Sequence, residues 1–249
     1  MSIAIASTIT EQQKQQYKDE GFFILEKVVS DEHLALMRRE CDALVELEIQ
    51  AKDQEKFERK HERYFIADCY KQRNALGQFV FGDLMADICR ATIGPDAYLF
   101  YDQFVVKGAE IGMKFGWHQD SGYVGHPHTP YLTCWCPLDD VYVANGTVFV
   151  LPYSRAGTRD VQPHTFDAAS NEHVGYHGAD PGDPVIVPAG SIAVFSGTTF
   201  HRSGTNTTNK RRRVYVVQYS PEIILNKEGT APSSQSVPFL RSGKRVAQS

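Results

Sequence analysis

From Ala97 onward the chain is cut by Gly, Pro, Asn and Asp into short β-branched and aromatic runs, and nothing else in it constrains the fold as strongly. The runs are Tyr98 to Val106, Tyr131 to Cys136, Thr147 to Leu151, Val185 to Val187, Ile192 to Phe195 and Val214 to Tyr219. These are strand-like in length and composition, and the residues between them are turn formers. Many short strands without interleaved helices predict a sandwich or jelly roll of antiparallel sheets rather than a parallel α/β sheet.

The first third has a different period. Thr10 is placed to cap a helix from Glu11 to Glu20 that Gly21 stops, and Phe22 to Leu25 reads as a short strand. Ser30 caps a longer helix with Asp31 and Glu32 in its first turn. Leu34, Met37, Cys41, Leu44 and Val45 recur along it at helical spacing, and it ends near Lys52. The charged stretch from Lys52 to Arg63 is expected to be a solvated helix end or loop. A third helix, about Gly82 to Ile93, stops at Gly94-Pro95. The expected class is therefore mainly β with flanking α-helices. A jelly-roll core over 97–220 rests on helical support over 1–96, and 221–249 forms a polar tail or flap, all in one domain over 1–249.

A chain of 249 residues with 42% hydrophobic and 22% charged content can bury a sufficient core without staples. Its five cysteines are odd in number and contain no C-x-x-C pair, which argues against a disulfide framework or zinc ribbon and for a reducing cytoplasm. The short apolar start lacks the basic residues of a signal peptide, and no run reaches membrane-spanning length. A net charge of −4 gives no general attraction to phosphate backbones, despite the local cluster Lys210 to Arg213. The expected partner is a small molecule, with no nucleic acid and no membrane; oligomeric state is not legible.

Within Phe115-Gly-Trp-His-Gln-Asp-Ser-Gly-Tyr123, His118 and Asp120 stand two apart, so in an extended segment they point the same way. His201, in Thr199-Phe-His-Arg-Ser203, can join them if the fold brings distant strands together, as a jelly roll does. Two imidazoles and a carboxylate on one face of a metal are the ligand set of non-haem Fe(II) oxygenases, with open positions opposite for a cosubstrate and dioxygen. Arg212 heads the last strong strand, and a guanidinium is a bidentate partner for a carboxylate. If it points inward with Val214 and Val216, then Arg211 and Arg213 point outward with Tyr215. His201 inward likewise brings Ser203 inward.

Three motifs together resemble the phytanoyl-CoA dioxygenase family of Fe(II)- and 2-oxoglutarate-dependent oxygenases. They are Trp117-His-Gln-Asp-Ser-Gly-Tyr123, Asn145-Gly-Thr-Val-Phe-Val-Leu-Pro152, and His201-Arg-Ser-Gly-Thr-Asn206 with Arg212. The resemblance implies a double-stranded β-helix in which His118, Asp120 and His201 ligate Fe(2+). It also implies that Arg212 and Ser203 bind the distal carboxylate of 2-oxoglutarate, while Gln103 and Trp135 line the cosubstrate pocket. The implied reaction consumes O2 and 2-oxoglutarate, releases succinate and CO2, and oxidises, by default hydroxylates, a small molecule. Asp120 sets the chain apart from related halogenases, which lack this carboxylate.

The chain departs from the family at Pro152-Tyr-Ser-Arg155, where Pro-Gly-Ser-His is common, and at Gly125-His-Pro-His128, so the acyl-CoA substrate is not carried over. Trp117, Tyr123, Tyr101 and the histidine loop suit a medium-sized, partly apolar substrate such as a natural-product intermediate. His126 and His128 are either solvated or a substrate or metal contact. The stretch holding His164, His173 and His177 is either a lid or a plain surface loop. Two other functions stay open from the residues alone: a non-catalytic jelly-roll binding protein, and a cupin-like metalloenzyme that uses no 2-oxoglutarate.

Overall fold

The computed structural model describes residues 9–51, 63–109, 114–168 and 172–248. The first helix, α1 (Glu11–Glu20), begins at a capping box. Thr10 accepts from the Gln13 amide at 3.2 Å while the Gln13 side chain accepts from the Thr10 amide at 2.9 Å, and Gly21 closes the helix at φ 80. The second, α2 (Asp31–Ala51), buries the predicted stripe Leu34, Met37, Cys41, Leu44 and Val45. Two short helices not foreseen, α3 (Cys69–Gln72) and α4 (Gly77–Val80), lead to the expected α5 (Asp83–Thr92). They carry Cys69, Phe79 and Val80 into the core, but each is too short to show a helical period.

The large sheet runs β1 (Phe22–Leu25), β10 (Ile192–Ser196), β5 (Leu132–Pro137), β12 (Arg212–Ser220), β3 (Ala97–Lys107), β13 (Val237–Arg241) and β14 (Lys244–Arg245), with β2 (Arg63–Ala67) also paired to β3. The smaller sheet is β4 (Phe115–His118), β11 (Phe200–Ser203), β6 (Val148–Leu151) and β9 (Asp183–Pro184). A separate hairpin joins β7 (Thr165–Asp167) to β8 (Glu172–Val174), and a helical turn, α6 (Tyr153–Ala156), follows β6. The pairings within both sheets are antiparallel, giving the jelly-roll core expected from the pattern of short strands.

Period-two alternation divides the core. Trp135, Ala193, Phe195, Val214 and Val216 of the large sheet pack on Val148 and Val150 of the smaller one. Their neighbours Cys134, Cys136, Ile192, Val194, Tyr215, Val217 and Tyr219 face the helices with Met37, Cys41, Phe79 and Met85. The five cysteines are free and buried.

Two expectations change. The run Val185 to Val187 is not a strand of its own. Its ladder is a single bridge from Val187 to Val141, next to the two-residue β9, although Val185 and Val187 are buried and Ile186 is 59% exposed. Alternating burial there fills a core edge without a continuous ladder. The presumed tail is docked: β13 pairs with β3, and Phe239 lies 5.5 Å from the Phe81 ring and 5.4 Å from that of Tyr219. Polar flanks hid a Val-Pro-Phe-Leu run whose apolar surface needs cover. The expected loop over 52–63 falls outside the described residues except Arg63, which begins β2. Among the described residues, no helix is long and apolar enough to cross a membrane.

Candidate metal centre and its cavity

β4 and β11 are neighbours in the smaller sheet, and their register sets His201 opposite His118. The two imidazole centroids are 4.1 Å apart. Asp120 Oδ1 lies 3.9 Å from His118 Nε2 and 3.5 Å from His201 Nε2, within the ~4.2 Å that two metal bonds of ~2.1 Å can span. The pairing of His118 with Asp120 does not come from strand alternation alone. β4 ends at His118, Gln119 remains extended at φ −114 and ψ 134, and Asp120 opens a 3-10 turn. The chain thus stays extended just long enough to aim both side chains together.

The surrounding hydrogen bonds prepare these groups for a cation. His118 Nδ1 lies 2.8 Å from the Gly116 carbonyl and His201 Nδ1 lies 3.1 Å from that of Thr199. A carbonyl only accepts, so each Nδ1 carries the proton and each Nε2 presents a lone pair. Burial, then the neighbouring His201, pushes the His118 pKa down to about 3, which keeps that ring neutral. Asp120 Oδ2 accepts from Thr133 Oγ1 at 2.7 Å and Gln218 Nε2 at 3.0 Å, leaving Oδ1 facing the imidazoles. Such outer partners fix ligand orientation. Gln119, fully buried between the ligands, is held by four bonds from its amide and side chain. Its amide donates to His164 Nε2 at 2.9 Å, its Nε2 donates to the Thr198 and Asp160 carbonyls at 2.6 and 3.0 Å, and its Oε1 accepts from the Gln162 amide at 2.7 Å.

The triad lines a cavity of about 430 Å3 that also holds Gln103, Trp135, Ser203 and Arg212. Arg212 is 1% exposed, and its Cζ lies 5.6 Å from the Trp135 ring centroid. Its Nη2 donates to the Gly146 carbonyl, whereas Nε and Nη1 are buried with no partner among the described residues. Gly146 sits at φ 79, where a Cβ would come within 2.7 Å of the Gly204 carbonyl, so glycine is required for the turn that presents this oxygen. Burial lowers the Arg212 pKa to about 10. A buried guanidinium with idle donors in a cavity matches an incoming carboxylate. Register did not slip: Arg213 is turned away, pairing with Asp139 at 2.7 Å and Asp42 at 2.9 Å, and Arg211 points to the surface side near Asp42.

Several contributors escaped sequence reasoning. Lys107, fully buried and opposite Arg212 in the β3–β12 register, donates from Nζ to Ser203 Oγ at 2.8 Å and to the Gly204 carbonyl. With a lone pair so engaged, Ser203 has its own O–H to donate into the cavity. A lysine inside a strand of buried residues was the available signal. Gln218 follows the inward series Arg212, Val214, Val216 and could have been found by the same alternation. His164 had no such cue. Trp117 does not line the cavity. It faces Tyr176 at 5.8 Å and Arg202 at 5.2 Å, because strand alternation turns it opposite to His118. Of the loop histidines, His128 Nε2 meets Ser121 Oγ at 3.0 Å and His177 Nε2 lies 3.3 Å from Thr165 Oγ1, and neither is among the described residues that line the cavity. Tyr101 and Tyr123 do reach the cavity.

The family model described as Phytanoyl-CoA dioxygenase (PhyH) matches residues 17–214. A probable alpha-ketoglutarate-dependent hypophosphite dioxygenase of Stutzerimonas stutzeri is 25% identical over 226 residues, covering 84% of this chain and 78% of its own. An ectoine dioxygenase of Bordetella parapertussis is 25% identical over 264 residues, with 97% and 86% coverage. Among solved structures, EvdO2 of Micromonospora carbonacea var. aurantiaca, complexed with 2-oxoglutarate, superposes with a TM-score of 0.68 at 21% identity, covering 95% of this chain and 97% of that one. The shared architecture and the match of a single family model across both strand motifs and the helical support lead to one assignment: this chain belongs to the phytanoyl-CoA dioxygenase family of iron- and 2-oxoglutarate-dependent oxygenases.

Proposed function

We propose that this chain, acting as one domain in a reducing cytoplasm, uses Fe(II), O2 and 2-oxoglutarate to oxidise, and by default hydroxylate, a small molecule. The observation that carries this reading is the joint opening of two features into one cavity: the His118–Asp120–His201 triad and the donors of Arg212 that have no partner among the described residues. A cupin-like site without 2-oxoglutarate would leave those donors unexplained, and so would a binding protein for neutral sugars.

The donor set fits iron, with two imidazole lone pairs and one carboxylate oxygen aimed at a common point and the remaining carboxylate oxygen saturated by Thr133 and Gln218. When bound there, iron with 2-oxoglutarate and O2 supplies the oxidising power, with succinate and CO2 as coproducts. Arg212 and Ser203 hold the distal carboxylate of the cosubstrate, and Gln103 and Trp135 wall its chain. Phe195, whose ring lies 4.7 Å from that of His201, and Val216 add apolar lining that restricts water in the cavity.

The test is formation of succinate and CO2 from 2-oxoglutarate with Fe(II) and ascorbate, including uncoupled turnover. Asp120→Ala is expected to abolish both iron retention and succinate formation. Absence of turnover in the parent protein together with no 2-oxoglutarate binding would remove the reading.

A further inference from the structure

The stretch that holds His164 and His173 packs against the strand that carries the first metal ligand. β4 stands at the edge of the smaller sheet, with β11 as its one neighbour among the described strands of that sheet. An edge strand leaves backbone groups without a ladder partner. Here the limbs 158–168 and 172–175 supply partners from outside the sheet. The Gly116 amide donates to Glu172 Oε2 at 2.7 Å, the Gly175 amide donates to the Trp117 carbonyl at 2.8 Å, and the Gln119 amide donates to His164 Nε2 at 2.9 Å. Glu172 is buried in making this contact.

His164 acts closest to the metal position. Its Nδ1 lies 2.8 Å from the Gln162 carbonyl, so Nδ1 carries the ring proton and Nε2 is left to accept from Gln119. The ring fits there because its neighbours are glycines: a Cβ on Gly122 or Gly175 would overlap it. The Tyr123 ring stands 5.9 Å from His164 and 5.7 Å from His118, bridging the two. The peptide so held decides the aim of the ligands. Gln119 is extended at φ −114 and ψ 134, and turning the peptide between His118 and Gln119 away from His164 would swing His118 relative to Asp120. The Gln119 side chain doubles the hold, since Asp160 and Gln162 of the same limb engage both of its ends.

Building on the oxygenase reading, we propose that these limbs form a fixed strap over the edge of β4, and that His164 is the positioning residue through which the strap sets the metal affinity of the His118–Asp120–His201 triad. A lid would present side chains to the cavity. This segment spends its polar groups on the backbone of the ligand strand instead, and His164, His173 and His177 are not among the described residues that line the cavity.

The experiment is anaerobic titration of the full-length protein with Co(II), which stands in for Fe(II) and has visible absorption bands that report coordination geometry. Glutamine places an acceptor where the imidazole has Nε2, whereas asparagine reaches only as far as Nδ1. His164→Gln should therefore hold the Co(II) Kd within about threefold of the parent with unchanged bands, while His164→Asn should weaken it about 10–100-fold and shift them. Phe166→Ala, on the same hairpin but 57% exposed, should change neither. A residue that acted only on the fold would not separate the two polar substitutions. Parent-like binding by His164→Asn, equal losses in His164→Asn and His164→Gln, or an equal loss in Phe166→Ala overturns the assignment. Amide exchange gives an independent reading. The Gly116, Gln119 and Gly175 amides should be protected before Co(II) or 2-oxoglutarate is added, and protection that appears only with them would make the segment a lid and overturn the strap. If the parent binds no Co(II), or binds it equally well after His118→Ala, the oxygenase reading falls; if the parent binds through His118 and the His164 variants do not separate, this inference alone falls.

Discussion

Replacing Arg212 with methionine separates two consequences of burying a guanidinium in the cavity wall. In the free protein, burial holds its pKa at about 10 against 12.5 in water, a cost of about 3 kcal/mol that applies at every pH below about 10, where the group is charged. Against this stands its bond to the Gly146 carbonyl, worth ~1.5–3 kcal/mol for a charged donor. Methionine removes both and keeps much of the packing on Trp135, so the metal-free, ligand-free variant should match the parent within about 1–2 kcal/mol. The ligand response should differ sharply. At one hundred times its Kd, 2-oxoglutarate stabilises the parent by ~2.7 kcal/mol, roughly 5–10 °C in Tm for a chain of 249 residues. Losing a desolvated charge-assisted carboxylate contact costs ~3 kcal/mol, or ~150-fold in affinity. The same ligand concentration then gives the variant less than about 1 °C. Thermal unfolding without metal or ligand reads the first number, and thermal unfolding with anaerobic Fe(II), with and without 2-oxoglutarate, reads the second. A variant that keeps more than half of the parent's shift would refute the placement of the carboxylate at Arg212.

Thr133→Val and Gln218→Ala each strip one donor from Asp120 Oδ2, and Fe(II) or Co(II) titration should show affinity falling ~10–100-fold. Lys107→Met should weaken 2-oxoglutarate but leave 2-oxopentanoate, which lacks the distal carboxylate, unaffected; equal losses for both would show that Lys107 acts on the fold and not through Ser203. His118 has a folded-state pKa of about 3 and an ordinary unfolded value near 6.5. Between these, the unfolded chain binds a proton that the folded metal-free protein does not. The stability present above pH 6.5 is therefore lost as pH falls toward 3, at up to ~1.4 kcal/mol per unit. Denaturant unfolding from pH 7.5 to 5 measures the slope, and His118→Leu should flatten it.

Much of this molecule is legible in local sequence, because local spacing dictates local geometry. The caps at Thr10 and Gly21, the stripe from Leu34 to Val45 and the inward series Arg212, Val214, Val216 follow from helical and strand periods that no distant residue needs to confirm. The ligand types and their order were legible for the same reason. Tertiary structure decided what depends on register between strands far apart in the chain. It set His201 opposite His118, brought Lys107 beside Arg212 to reach Ser203, and aimed Thr133 and Gln218 at the outer oxygen of Asp120. It also turned a polar-looking C-terminus into a sheet strand, since the apolar surface of Phe239 and Leu240 finds cover only once β3 and the Phe81 and Tyr219 rings are in place. A sequence states which side chains exist and which way each points along its own element. Which of them meet is fixed by burial and hydrogen-bond pairing across the whole core.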